Sequence, residues 1–210
     1  MAVAPEEFLA DNFLARRAQE IRMDRAAHPG SKIPLDHGTV YLTAADEKGM
    51  MVSFIQSNYM GFGSGIVIPD TGIAMQNRGC GFVLQEGHPN CVGGGKRPFH
   101  TIIPGFVTRN KQALMSFGVM GGNMQAQGHV QMMVRIFDYG QNPQAACDAP
   151  RWYVDENFRI ALEPGFSPRV IDELKHRGHA FIENPPDSLF GGAQLIYCLE
   201  NGYCAASDLR

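Results

Sequence analysis

No apolar stretch in this sequence is long enough to span a bilayer, which argues against a membrane-spanning helix. Cysteine is scarce and follows no pairing pattern. Cys80, Cys91, Cys147, Cys198 and Cys204 are odd in number and show no CxxC spacing. A zinc site or a disulfide framework is not expected, which leaves small buried or half-buried thiols. Charge of one sign is also lacking. The net charge is -3, without long like-charge blocks, so the electrostatic footprint of a nucleic-acid binder is missing. No internal repeat of solenoid period is visible. The early segment "EEFLADNFLARRAQEIR" carries charges throughout, so no secretory signal peptide is expected and a cytoplasmic product is the default.

What remains is a globular pattern. The 210 residues are 44% hydrophobic, enough for one substantial core. Residues 5–27 read as a helix, with Pro5 in the first turn and Phe8, Phe13, Leu14 and Ile21 on a rough stripe. Residues 28–38, rich in Pro, Gly and Asp, read as a linker. Residues 39–45 and 50–58 read as a hairpin closed by Asp46-Glu47-Lys48-Gly49, a type I turn followed by a left-handed glycine. That loop pairs Asp46 with Met50, and counting back sets Thr39 opposite Ser57. Thr39, Tyr41 and Thr43 then share a face with Ser53, Ile55 and Ser57, while Val40, Leu42 and Ala44 share the other with Val52, Phe54 and Gln56.

Further strands are expected over 64–68, 72–76, 101–108 and 112–119, with a loop over 84–98. The pattern then turns helical, with Met124, Val130, Met133, Val134 and Phe137 facing one core. A short helix over 143–148, a strand over 158–162 and a helix from Ser167-Pro168 to Gly178 follow. Strands over 180–183, 193–199 and 203–206 close the chain. Blocks of strands around helices favour an α+β fold with antiparallel sheets covered by helices.

Thr39 has two readings. It is an ordinary strand residue, as β-branched side chains often are, or a nucleophile freed as a chain terminus. A threonine hydroxyl is weak without an adjacent base, and an N-terminal threonine carries one, its own α-amine. Gly38 tolerates the unusual dihedrals of a peptide attacked by the next hydroxyl. Ser57 is either a second hydroxyl supporting Thr39 or one half of a stabilising cross-strand pair. Gly121 and Gly122, between a strand and a helix, form either a plain tight turn or a pair of amides able to hold an oxyanion. His88, His100 and His129 match no metal spacing and suit loop or helix-surface positions, with His100 kept as a substrate contact. Trp152 suits a packing anchor, and Met124, Met132 and Met133 suit core filling.

Taken in order, "TVYLTAADEKGMMVSF", "GFGSGI", "GKRPFHTIIP", "GVMGG" and "GYCAASDLR" resemble the small subunit of the γ-glutamyltransferases, within the N-terminal-nucleophile hydrolases. The resemblance implies a four-layer αββα sandwich with its large-subunit layers mostly missing. Residues 1–38 are similar to the tail of a large subunit and 39–210 to the catalytic small-subunit domain. It implies cleavage between Gly38 and Thr39, attack by Thr39 on a γ-glutamyl amide such as glutathione, support from Ser57 and an oxyanion hole at Gly121 and Gly122. No metal or organic cofactor is implied. A large-subunit portion or second chain is implied as partner, and with it an arginine that clamps the substrate carboxylate.

Several positions depart from the family pattern. Tyr59 replaces a common asparagine. Arg78 and Gly81 align with the glutamine and aspartate that hold the substrate's α-amino end. His100 and Thr101 align with the serine pair that contacts its α-carboxylate. These changes favour a glutaryl or cephalosporin-type acylase as an alternative. The other alternative is an inactive truncated fragment, because a lone small subunit exposes sheet edges and an apolar face.

Overall fold

The computed structural model describes residues 10–19, 21–22, 24–25 and 39–210. Its first element is a short helix α1 (Asp11–Gln19). The rest of the expected 5–27 helix is either outside that element or outside the described residues, and Leu14 and Ile21 are exposed. The expected linker, Gly38 included, lies outside the described residues.

Strands β1 (Thr39–Ala45) and β2 (Met51–Ser57) form the hairpin in the expected register, from Thr39 opposite Ser57 to Ala45 opposite Met51. The turn chemistry sets this register. Asp46 Oδ1 accepts from the amides of Lys48 and Met50, both at 2.9 Å, and Gly49 takes φ +85°.

The hairpin's hydroxyl-bearing face is the one turned inward. It packs on the centre of a four-stranded antiparallel sheet ordered β3-β4-β8-β9, made of Gly105–Arg109, Gln112–Met120, Gly192–Leu199 and Gly202–Ser207. Gly118 of β4 makes this approach possible, since a Cβ there would collide with the Tyr41 ring. Around it the polar groups satisfy one another. Tyr41 Oη lies 2.9 Å from Ser53 Oγ, Thr43 bonds Ser116, and Ser53 Oγ donates to the Phe117 carbonyl. The oily face is left outward, with Val40, Leu42, Val52 and Phe54 exposed by 45–56%.

The other face of β4 carries Met115, Phe117 and Val119 into the main core. That core is closed by α2 (Met124–Met133), a π turn (Val134–Asp138) and α3 (Pro143–Asp148). The described chain thus layers hairpin, sheet and helices in an α+β arrangement. A second core joins Met124 to a small sheet of β5 (Trp152–Val154), β6 (Arg159–Leu162) and β7 (Ala180–Phe181). Helix α4 (Pro168–His176) connects β6 to β7, which run parallel.

Several sequence expectations are corrected. Residues 64–68 and 72–76 form one bridge, Val67 with Ala74, rather than two strands. The strand expected from 101 begins at Gly105, because the amides of Ile102 and Ile103 are taken by His100 Nδ1 and Gln125 Oε1 and Pro104 has none. Cys80 is exposed rather than buried. Val130 is 56% exposed, not core. His129 is buried rather than on the helix surface: its Nε2 accepts from the Val119 amide at 3.1 Å, and burial pushes its pKa down to about 4.

Strand β5 was not foreseen at all. Its free edge is bonded by side chains instead of a neighbouring strand. Gln127 accepts from and donates to the Val154 backbone at 2.8 and 3.0 Å, and Gln131 does the same for Trp152 at 3.1 and 2.9 Å. Four helical residues advance about 6 Å and two strand residues about 6.6 Å, so the two amides match alternate strand residues.

Candidate active site

Thr39 opens β1, and its Oγ1 donates to Ser57 Oγ at 3.0 Å across the hairpin. The Tyr59 amide donates to the same Ser57 oxygen at 2.8 Å. Reaching back this way forces Tyr59 into the left-handed region, φ +77°. For a residue with a Cβ that conformation costs about 1–2 kcal/mol. The strained turn is tied down behind: Met60 N donates to Asn77 Oδ1 at 3.0 Å, and Asn77 N to the Asn58 carbonyl at 3.1 Å.

The same ties bring in Arg78, which opens a 3-10 turn (Arg78–Gly81). Its guanidinium carbon stands 4.8 Å from the centroid of the Tyr59 ring. Both residues are buried. Burial raises the Tyr59 phenol pKa, and burial lowers that of Arg78. Thr39, Ser57, Tyr59 and Arg78 therefore form one connected set.

Gly121 and Gly122 follow directly from β4. Tyr41 stands over Gly118 and Thr43 meets Ser116. Continuing that direction by two residues carries Thr39 toward the end of β4, where the two glycines turn the chain with φ +124° and +56°. Their carbonyls accept from Met124 N and Gln125 N, starting α2. Amides at a helix start have no intrahelical acceptor and are open to an anion. The turn is braced by backbone packing, since a Cβ on Gly121 would stand 3.0 Å from the Gly191 Cα.

The remaining expected residues are less integrated. His100 is exposed, and its described bond is local, Nδ1 accepting from Ile102 N at 3.3 Å. Thr101 is 6% exposed and buries a hydroxyl without a hydrogen-bond partner among the described residues. Gly38 lies outside the described residues. Among the described residues no three His, Cys, Asp or Glu side chains converge. No helix among them is long and apolar enough to cross a membrane.

Two features went unnoticed in the sequence. Gln125, next to the glycine turn, is fully buried, with Oε1 bonded to Ile103 N and Nε2 unpartnered among the described residues. Its place just after Gly-Gly at a helix start is the one signal that pointed to it. The second is an ion pair, Arg151 to Asp208 at 2.5 Å, both side chains 1% exposed. Arg151 also donates to the Phe190 and Gly191 carbonyls at 3.1 and 3.2 Å, so the pair holds the segment that braces Gly121. Arg210 extends the network to Asp208 at 2.7 Å and Glu163 at 2.5 Å.

The family described as Gamma-glutamyltranspeptidase matches residues 1–210. The glutathione hydrolase-like YwrD proenzyme of Bacillus subtilis is 36% identical over 205 residues, 95% of this chain and 39% of the relative. The oxamate amidohydrolase proenzyme of Klebsiella pneumoniae is 39% identical over 163 residues, 74% of this chain and 30% of the relative. The crystal structure of cephalosporin acylase from Bacillus halodurans superposes with TM-score 0.88 at 46% identity, covering 100% of this chain and 38% of that one. The chain thus spans less than half the length of these proteins.

Proposed function

The chain belongs to the gamma-glutamyltranspeptidase family, and on that premise we propose that Thr39 is the nucleophile of an amide-cleaving hydrolase and acyltransferase made as a zymogen. The observation that carries this reading is the 3.0 Å contact of Thr39 Oγ1 with Ser57, at a strand start directed toward the Gly121-Gly122 turn. The proenzyme names of the two curated relatives support activation by cleavage. The hydrolase, amidohydrolase and acylase names support amide cleavage as the shared chemistry.

Maturation follows from the same oxygen. Thr39 Oγ attacks the Gly38 carbonyl carbon, the C–N bond breaks as an ester forms, and water hydrolyses that ester. Gly38 leaves with a carboxylate, and Thr39 regains its hydroxyl beside a free α-amine. In turnover the amine takes the Oγ proton as the oxygen adds to the substrate carbonyl. The Gly121 and Gly122 amides hold the developing oxyanion. The proton passes to the departing amine, and the acyl ester left on Thr39 is taken by water or by an acceptor amine. Ser57 keeps the Thr39 hydroxyl oriented, with its own oxygen fixed by the Tyr59 amide. Tyr59, Arg78, His100 and Thr101 line the substrate side.

The main reading is transfer or hydrolysis of γ-glutamyl groups from glutathione-like amides. Arg78 and the missing carboxylate at Gly81 favour the second reading, a glutaryl or cephalosporin-type acylase. Residues 39–210 form the catalytic domain, and 1–38 the tail of a large subunit. The exposed face of Val40, Leu42, Val52 and Phe54 is where the fourth layer of an αββα sandwich fits. Leaving such a face to water is unfavourable, so the working particle includes a large-subunit portion, in the same precursor or as a second chain.

Trapping the acyl intermediate tests the reading. With γ-glutamyl or glutaryl p-nitroanilide, acid quenching gives a fragment beginning at Thr39 that is heavier by one acyl group. The kcat/KM rises with pH through the amine's ordinary value, about 7.7–8.0. An acyl group on any other residue would refute Thr39 as the nucleophile.

A further inference from the structure

We infer that Arg78, stacked on Tyr59, is the specificity residue of this site and selects an acyl group that carries a carboxylate and no ammonium. The inference rests on the reading of Thr39 as nucleophile and names the substrate class of that site.

Arg78 is 9% exposed, and its Nε has no hydrogen-bond partner among the described residues. No described carboxylate pairs with it; the described ion pairs involve other arginines. Buried charge without a partner is costly, and Arg is the residue best shaped for a bidentate carboxylate. Among the described residues it stands over the Tyr59 ring with Cys80 nearby, and the electron-rich ring face is a weak substitute for an anion.

The position of this cation is set by the nucleophile's own support. Tyr59 N bonds the oxygen that holds Thr39, so Arg78 is two side chains removed from the attacking hydroxyl. The strained Tyr59 turn is tied to Asn77, the residue just before Arg78.

The surroundings are poor in acids. Between Ser57 and Pro104 the sequence has two acidic residues, Asp70 and Glu86, and both are exposed. The 3-10 turn itself carries none. A Cβ on Gly81 would stand 3.1 Å from the Phe99 carbonyl, tighter than ordinary contact. Two residues beyond Phe99, Thr101 buries a hydroxyl that also lacks a described partner. An ammonium approaching this turn would meet a cation and no described carboxylate. A carboxylate would meet the Arg78 guanidinium. The acyl donors that fit are monoamides of short dicarboxylic acids.

The experiment uses the complete protein with its large-subunit portion, and rates are normalised to the amount of chain beginning at Thr39. Glutaryl p-nitroanilide is compared with γ-glutamyl p-nitroanilide, which differs by the α-amine, and with butyryl p-nitroanilide, which lacks the carboxylate. The glutaryl compound is expected to be cleaved at least ~10-fold better than either, with Arg78→Gln lowering its kcat/KM roughly a hundredfold and erasing the preference. Independently of any variant, glutarate is expected to inhibit at concentrations ~10-fold below those needed of glutamate. A cleaved, active enzyme that favours the γ-glutamyl compound and binds glutamate better would overturn the inference alone. So would an unchanged preference in Arg78→Gln, which is the result if a protein carboxylate pairs with Arg78. Absence of any chain beginning at Thr39 would remove the underlying reading and this inference together.

Discussion

Replacing Thr39 by alanine in the complete protein lowers amide turnover by at least ~10⁴-fold, the scale of losing a covalent nucleophile. No neighbouring group takes its place. Ser57 Oγ already accepts two hydrogen bonds, and as an internal residue it has no α-amine to take its proton. Thr39→Ser keeps the hydroxyl and the chance of a free amine, so it retains a measurable fraction of the rate. The pair of variants, assayed with the same anilide, separates loss of the oxygen from loss of the methyl group. Equal activity in wild type and Thr39→Ala would exclude the proposed chemistry.

The second large effect falls on stability. Asp208→Ala leaves Arg151 charged and almost fully buried. Breaking such a pair from one side costs about 3–5 kcal/mol, read as a lower urea midpoint in the complete protein. The damage also reaches the active site. Arg151 holds the Gly191 carbonyl, and a Cβ on Gly191 would collide with the Met120 carbonyl, so these backbones touch beside the Gly121-Gly122 turn. Turnover per cleaved chain should therefore fall as well.

The pH dependence has a definite sign. Burial raises the Asp208 pKa, but the Arg210 amide and the Arg151 and Arg210 charges outweigh it, leaving the carboxyl below its usual range. Its stabilisation is complete above the unfolded value of about 3.9 and is lost as pH falls below that toward the lowered folded value. A variant as stable as wild type at neutral pH would show that the pair is not structural.

Local chemistry was the part of the fold most legible in the sequence. The Asp46 and Gly49 turn fixed the hairpin register to the residue, and with it the Thr39–Ser57 contact. Which face of the hairpin is inward was not legible. An oily face ordinarily marks the core, but here Gly118 admits Tyr41 and the oily side stays exposed. Helical periodicity likewise misplaced Val130, because one flank of α2 serves the amide groups of β5 through Gln127 and Gln131. That demand is set by a strand far away in sequence. The Arg151–Asp208 pair was hidden for the same reason. Arg78 is expected near the substrate only from the family resemblance, and its burial and its stacking on a strained Tyr59 needed coordinates.

The central claim is that one backbone bond must break to create the catalyst. Intact-mass measurement of the purified complete protein, followed over time, tests it most directly. The account predicts a fragment whose first residue is Thr39, appearing in step with activity and missing in Thr39→Ala. An unbroken chain that nonetheless cleaves amides at full rate would contradict it.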